Sequence, residues 1–99
     1  SYASSPLENK VDEISRNIRE TPLSQMHGAD GSFHVSSEQA EIGQELPQDY
    51  KEYVTHHELA HAAGIDGSPR GEYLADILAA ERTGKARYIR GPFYQPPLR

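Results

Sequence analysis

Two histidines four residues apart, in the run His57-Glu58-Leu59-Ala60-His61, constrain the fold of this chain more than any other feature. On an α-helix, residues four apart lie one above the other on the same face. Such a helix would present both imidazoles to one point in space, close enough to bind the same metal ion. Glu58 would lie within reach of water at that ion, which is the arrangement that metal-assisted hydrolysis requires. The run therefore predicts a helix that carries a metal site.

A second helix is needed to complete this site, because a catalytic zinc ion normally has three protein ligands and one water. The connection to the next helical pattern is short, and Ser68-Pro69 is a strong helix start, so the two helices should form an antiparallel hairpin. Glu72 is then the best-placed third ligand, with Asp66 as the alternative. Asp76 shares a face with Glu72 and could accept a hydrogen bond from the free N–H of a ligating imidazole.

The two motifs together resemble a known family. His57-Glu58-Leu59-Ala60-His61 followed by Glu72-Tyr73-Leu74-Ala75-Asp76 is similar to the H-E-x-x-H … E-x-x-A-D pattern of gluzincin metallopeptidases, including the very small minigluzincins. The likeness covers roughly residues 53–82. It implies Zn²⁺ as the cofactor, Glu72 as the third ligand beside the two histidines, and Asp76 as the support of a ligand histidine.

Two other likenesses cover less of the pattern. Residues 57–64 fit H-E-x-x-H-x-x-G, the start of the metzincin pattern, but the third ligand of that pattern would fall on Gly67, which has no side chain. Asp66 lies one residue before that position. Residues 81–88, following an H-E-x-x-H motif, also resemble bacterial effector and toxin zincins. That likeness implies a delivered module, with an inhibitor or immunity protein as a partner.

The catalytic prediction is that Glu58 takes a proton from water and passes it to the leaving amine of a peptide bond. A second electrophile often assists. The candidates for that role, or for substrate contact, are His34, Arg87, Tyr88 and Arg90. The predicted function is a zinc-dependent endopeptidase acting on a protein or peptide substrate, as a toxin or effector domain or a latent proenzyme. The alternative is a non-catalytic, zinc-stabilised protein-binding module.

The composition predicts one small domain over residues 1–99 and limits how a metal can be held. Only 35% of the 99 residues are hydrophobic, so the core is modest and a bound metal would add needed stability. No cysteine is present, so a zinc site must use histidines and carboxylates. No membrane-spanning run or signal peptide is recognised, and a start at Ser1 suggests a processed product or an excised domain, cytoplasmic or delivered.

The net charge of -5 is unevenly distributed along the chain. Residues 1–81 contain all fifteen acids, whereas residues 82–99 contain five bases and no acid. A basic segment with Tyr88, Phe93 and Tyr94 could contact nucleic acid. Because this segment is short and the remaining chain would repel phosphate, the prediction is that it packs on the acidic domain. Nucleic acid is therefore not an expected partner.

Periodicity and capping residues predict an α+β fold. The resemblance to gluzincins implies that this fold is a small zincin-like domain. The active-site helix and the glutamate helix would pack with an N-terminal helix, running from Pro6 or Leu7 to about Glu20, and with a short β-ribbon. Residues 1–5 and 92–99 are predicted to be extended or flexible. The ribbon would use Ser32–Ser36 and Ser37–Gly43, the latter as a strand or a turn. The active-site helix is predicted to start at Pro47 or Asp49 and to end at Gly64. The glutamate helix is predicted to start at Ser68-Pro69 and to end at Gly84.

Overall fold

The structure is a computed structural model that describes residues 5–90, and its architecture is α+β, as predicted. Predictions for residues 1–4 and 91–99 lie outside the described residues. Within the described part, no helix combines the length and apolar character that crossing a bilayer requires. In chain order the elements are α1 (Pro6–Ser15), β1 (Arg19–Thr21), β2 (Gly31–His34), β3 (Gln39–Gly43), α2 (Gln48–Ala62) and α3 (Pro69–Thr83), with short 3-10 helices at Leu23–Gln25 and Ala86–Tyr88.

The first helix is shorter than predicted. Ser5 and Glu8 form a capping box at its start, in which each side chain accepts a hydrogen bond from the backbone N–H of the other residue. The helix ends at Ser15 and not at Glu20, because Arg19–Thr21 pairs in parallel with β3. Pairing with a segment some twenty residues away thus overrides the prediction of a helix that continues to about Glu20.

The central strand is β3, with β1 parallel on one side and β2 antiparallel on the other. Of the two alternatives for Ser37–Gly43, the strand is therefore correct, although it begins only at Gln39. The other predicted strand is shifted, since Val35 is 78% exposed and lies in the turn after β2. Within residues 5–90, β2 forms an open edge of the sheet.

The α2–α3 hairpin forms as predicted. Gly64 follows α2 with a φ of 116°, and Gly84 ends α3 with a φ of 72°, values that glycine adopts without strain. The Ser68 hydroxyl caps α3 by accepting a hydrogen bond from the Gly71 N–H at 3.0 Å. The short turn holds the two helices side by side, which brings the first turn of α3 next to the histidines of α2.

The helical spacing of Leu7, Val11, Ile14 and Ile18, and that of Leu74, Ile77, Leu78 and Glu81, predicts one packed face on each of two helices, and the buried faces of α1 and α3 differ from these. Leu7 is 49% exposed and only Ile14 of α1 is buried, while Leu74 in α3 is 46% exposed. The buried face of α3 consists instead of small residues and one acid, namely Gly71, Ala75, Asp76, Ala79 and Ala80. Small residues allow α3 to approach its neighbours closely, and α2 then supplies the large core side chain, Tyr53, which is 1% exposed.

Candidate metal centre

His57, His61 and Glu72 converge on one point between α2 and the first turn of α3. Nε2 of His57 lies 3.2 Å from Nε2 of His61, and each of these nitrogens lies 3.0 Å from an oxygen of the Glu72 carboxylate. Of the two candidate third ligands, Glu72 is thus the one in the cluster. The Asp66 carboxylate instead accepts hydrogen bonds from the backbone N–H and the hydroxyl of Ser68.

Hydrogen bonds on the far side of each imidazole decide which nitrogen faces this cluster with a lone pair. Nδ1 of His61 lies 2.7 Å from the carbonyl oxygen of Ile65, and Nδ1 of His57 lies 2.8 Å from Oδ1 of Asp76. A carbonyl oxygen or an ionised carboxylate only accepts, so both Nδ1 atoms carry a hydrogen. In the neutral rings, both Nε2 atoms therefore present lone pairs to each other and to the Glu72 carboxylate. A cation or protons must compensate this set of acceptors.

The histidine pKa values show how strongly the cluster attracts positive charge. Burial by itself lowers the pKa of His57, but hydrogen bonds to Asp76 and Glu72 outweigh it and raise this pKa to about 9. Burial also lowers the pKa of His61, yet its hydrogen bonds to Glu72 and to the Ile65 carbonyl raise it overall. Burial favours the neutral form of Glu72, but the two imidazoles lower its pKa to about 2. Protons and a metal ion would compete for the same atoms.

Asp76 is 2% exposed and is held from two sides. Besides His57, it binds Arg90, whose backbone N–H donates to Oδ2 at 3.1 Å and whose guanidinium lies 3.4 Å from both carboxylate oxygens. Burial raises the pKa of Asp76, but the hydrogen bonds from His57 and Arg90 reverse this and lower it to about 2. Asp76 is thus an ionised hydrogen-bond partner of His57, held in place by Arg90, which is the contact that the sequence predicted for it.

The dimensions of the cluster fit a tetrahedral metal site. Ligand atoms about 2.0–2.1 Å from a tetrahedral ion are about 3.3–3.4 Å apart. Here the two nitrogens are 3.2 Å apart, each lies 3.0 Å from a different oxygen of Glu72, and one ligand atom from each of the three residues lies within 4.8 Å of the others. His57, His61 and Glu72 can therefore hold a metal ion, and within residues 5–90 no other group of three such side chains is close enough to do so.

Glu58 lies beside this cluster, in the wall of a cavity of about 60 Å³ that His57 and Glu72 also line. Its residue surface is only 6% exposed. A Cβ atom built on Gly31 would lie 3.0 Å from Oε2 of Glu58 and 2.6 Å from Cγ1 of Val54. The missing side chain at Gly31 therefore lets the open edge strand come directly against Glu58. A buried carboxylate next to a metal cluster and a strand edge is well placed for proton transfer to or from a bound substrate.

Three of the other predicted site residues lie elsewhere, and Arg90 alone of the four lines the cavity. His34 binds Glu41 on the sheet, with 2.9 Å between Nε2 and Oε1. Arg87 and Tyr88 both bind Asp49 in the first turn of α2, and the Tyr88 ring packs against aromatic rings of that helix. Their placement does not support a catalytic role for these three, whereas the described part of the basic segment does contact an acidic residue, since Lys85, Arg87 and Tyr88 all bind Asp49.

Two residues of the cavity wall were not recognised from the sequence. The sequence predicts that Tyr50 packs in the core, and it does pack against the core, but its hydroxyl also donates to Oδ2 of Asp30 at 2.7 Å, and both residues line the cavity. Asp30 lies in a predicted loop, and no local pattern distinguishes it there. The spacing of seven residues from Tyr50 to His57, which places both on one helix face, was the one available signal.

No protein family, curated protein or solved structure matches this chain. The likeness to gluzincins thus depends on the two motifs, and what the site does must be argued from its own chemistry.

Proposed function

We propose that this protein is a zinc-dependent endopeptidase of the gluzincin type, in which His57, His61 and Glu72 bind zinc and Glu58 is the general base. The observation that supports it most directly is that two imidazole nitrogens, 3.2 Å apart and each 3.0 Å from an oxygen of the Glu72 carboxylate, lie beside a buried carboxylate in one cavity. Three protein ligands leave a coordination position for water or substrate, which is typical of catalytic zinc sites and not of structural ones.

The donor set favours zinc over other common cations. Two imidazole nitrogens and one carboxylate oxygen suit a borderline ion with tetrahedral preference, whereas Mg²⁺ and Ca²⁺ prefer six or more oxygen ligands. Because the Nδ1 atoms of both histidines donate hydrogen bonds, both Nε2 atoms present lone pairs to the site, as metal ligands must. When bound, zinc would supply a Lewis acid that polarises a carbonyl group and makes water more acidic.

The residues of the chain supply proton transfer and orientation. Glu58 accepts a proton from the attacking water and then delivers it to the nitrogen of the leaving amine. Asp76 keeps the His57 ring in one orientation through the bond to Nδ1, and Arg90 in turn holds Asp76. Both supports are hydrogen bonds to a nearly fully buried carboxylate, so the ligand ring cannot rotate without breaking them.

The open edge of β2 favours an extended peptide as the substrate. The Gly43 N–H donates to the Asp30 carbonyl at 2.8 Å. Because hydrogen-bonded and non-hydrogen-bonded pairs alternate in an antiparallel ladder, the backbone groups of Gly31 and Phe33 then point toward the open edge. A peptide that adds there as a further strand would have its backbone beside Glu58, since Gly31 contacts that residue.

The substitution Glu58→Gln tests this proposal, because it removes the base and keeps the size of the side chain. Zinc content, measured by atomic absorption, should stay at one ion per chain, whereas cleavage of a mixed peptide library, followed by mass spectrometry, should fall by roughly 10²–10⁴-fold. Glu81→Gln, an exposed position on α3, is the matched control and should retain activity. Chelation should abolish cleavage, and added zinc should restore it.

Two results would contradict the proposal in different ways. Full activity of Glu58→Gln would refute the role of the base. Zinc binding without cleavage of any library peptide by the wild-type protein would refute the endopeptidase and favour the zinc-stabilised binding module. The toxin, effector and proenzyme roles, and an inhibitor or immunity partner, stay predictions from the sequence.

A further inference from the structure

The cavity beside the metal cluster contains one acid that neither metal binding nor proton transfer uses. Among the described residues, the charged side chains that line it are Asp30, Glu58, Glu72 and Arg90. Glu72 belongs to the cluster, Glu58 has the proposed catalytic role, and Arg90 is bound to Asp76. Asp30 remains, in the turn that leads into β2.

Contacts with two other elements hold Asp30 in place. Its Oδ2 accepts the Tyr50 hydroxyl from α2 at 2.7 Å, and its carbonyl accepts the Gly43 N–H from β3 at 2.8 Å. Within residues 5–90, no lysine, arginine or histidine forms an ion pair with it. A carboxylate can accept about four hydrogen bonds, so this one retains capacity for a cationic donor. It is also half-buried, which reduces the solvent screening of such a pair.

We infer that Asp30 binds a cationic group of the substrate, so that peptides with an ammonium or guanidinium group near the cleaved bond are the substrate class. The inference rests on the proposed function, because it places a peptide along β2. Asp30 immediately precedes Gly31 in the chain and lines the same cavity as Glu58 and Glu72, which places it near the proposed reacting position.

The cation could come from a lysine or arginine side chain or from a free amino terminus. These two sources share the same chemistry, and peptides with and without a blocked amino terminus distinguish them.

Measuring peptide binding tests the inference without requiring catalytic turnover. The probes are fluorescent peptides, acetylated and amidated, with lysine or norleucine at each position in turn, and the protein is zinc-loaded Glu58→Gln. The best lysine peptide should bind at least roughly tenfold more tightly than its norleucine counterpart, as expected for a hydrogen bond to a charged group. Adding Asp30→Asn should reduce this ratio to about twofold or less. Asp12→Asn, an exposed site on α1 with the same change in net charge, should leave the ratio intact.

To identify the source of the cation, the binding of norleucine peptides with a free amino terminus is compared with the binding of blocked lysine peptides. If an unblocked amino terminus restores tight, Asp30-dependent binding where lysine does not, the cation is the terminal ammonium. If lysine in a blocked peptide suffices, the cation is a side chain. Either result sustains the inference, and an equal ratio with and without Asp30→Asn overturns it.

A purely structural role for Asp30 predicts a different pattern. Tyr50→Phe removes the hydrogen bond and keeps the carboxylate, so it should preserve the preference for lysine. If Asp30→Asn fails to fold, ionic strength provides the second test, because salt should weaken binding of the lysine peptide and not of the norleucine peptide. Loss of the preference in Tyr50→Phe, or equal salt dependence of both peptides, would overturn the inference.

The inference and the proposed function can fail separately. Asp30-dependent binding without any cleavage by the wild-type protein would sustain the cation site and refute the endopeptidase. Cleavage with the same kcat/KM for lysine and norleucine peptides would sustain the endopeptidase and refute the cation site.

Discussion

Raising the pH above neutrality should destabilise the metal-free protein, because its histidines hold the protons that compensate the cluster of acceptors. The pKa of His57 is about 9 in the folded protein, against an ordinary value of 6.5. A group whose pKa is raised by folding stabilises the folded state fully below its unfolded pKa. That stabilisation is lost as the pH rises through the folded pKa. The window for His57 is therefore about pH 6.5 to 9.

The magnitude follows from the two pKa values. Their difference, 9 minus 6.5, multiplied by about 1.4 kcal/mol per pH unit, is on the order of 3 kcal/mol. His61, whose pKa is also raised, acts in the same direction. Asp76 and Glu72 act at the other end of the scale, because their pKa values of about 2 lie below the ordinary 3.8 and 4.5. Their contribution is present above those ordinary values and is lost as the pH falls toward 2.

Urea unfolding followed by circular dichroism, with a chelator present, measures this effect across the window. His57→Gln should make the free energy of unfolding less dependent on pH between about 6.5 and 9. His56→Gln should leave that dependence unchanged, because burial lowers the pKa of His56 and places its titration below this range. Zinc should reverse the sign, because metal binding displaces the protons and strengthens as the pH rises. A free energy of unfolding of the metal-free protein that is constant or increases between about pH 6.5 and 9 would refute the reasoning.

Three other predictions concern the metal centre and the edge strand. Asp76→Asn should weaken zinc binding by about 10–100-fold, measured by competition with a chelating dye, and an unchanged affinity would show that its hydrogen bond to His57 is dispensable. Gly31→Ala should destabilise the fold by about 1–3 kcal/mol in urea, because the added carbon would lie 2.6 Å from Val54. Gly67→Ala is its control, since the nearest atom there is 3.9 Å away, and equal effects would contradict the packing argument. Zinc at about 100 times its Kd should stabilise the protein by about 2.7 kcal/mol, and the absence of any shift in thermal unfolding would exclude binding to the folded state.

The helical part of the site could be predicted because its signals are local in sequence. The one-turn spacing of His57 and His61 brings the rings together on any α-helix, and their Nε2 atoms are 3.2 Å apart. The cap at Ser68 and the glycine at position 64 act within a few residues of the helix ends that they define. A short turn between two such helices leaves few ways to pack them, and this is why Glu72 could be chosen over Asp66.

The sheet and the cavity wall depended on contacts between distant segments. Arg19 and Glu20 were predicted to be the end of the first helix, but Arg19–Thr21 pairs with β3 as a strand. Positive charge and aromatic character made Arg87 and Tyr88 candidates for the site, but Asp49, some forty residues away, binds both. Asp30 acquires its place beside Glu58 only when β2 packs on α2.

What the sequence by itself determined is therefore the pairing of His57 with His61 on one helix face, the adjacent Glu58 and the hairpin that brings Glu72 to them. What only the tertiary structure decided is the tautomer of each histidine, the edge strand against Glu58 and the place of Asp30 in the cavity wall. The physical reason is the range of the interactions. Helix periodicity and capping act over one or two turns, whereas strand pairing, burial and ion pairing join residues whose separation along the chain carries no pattern.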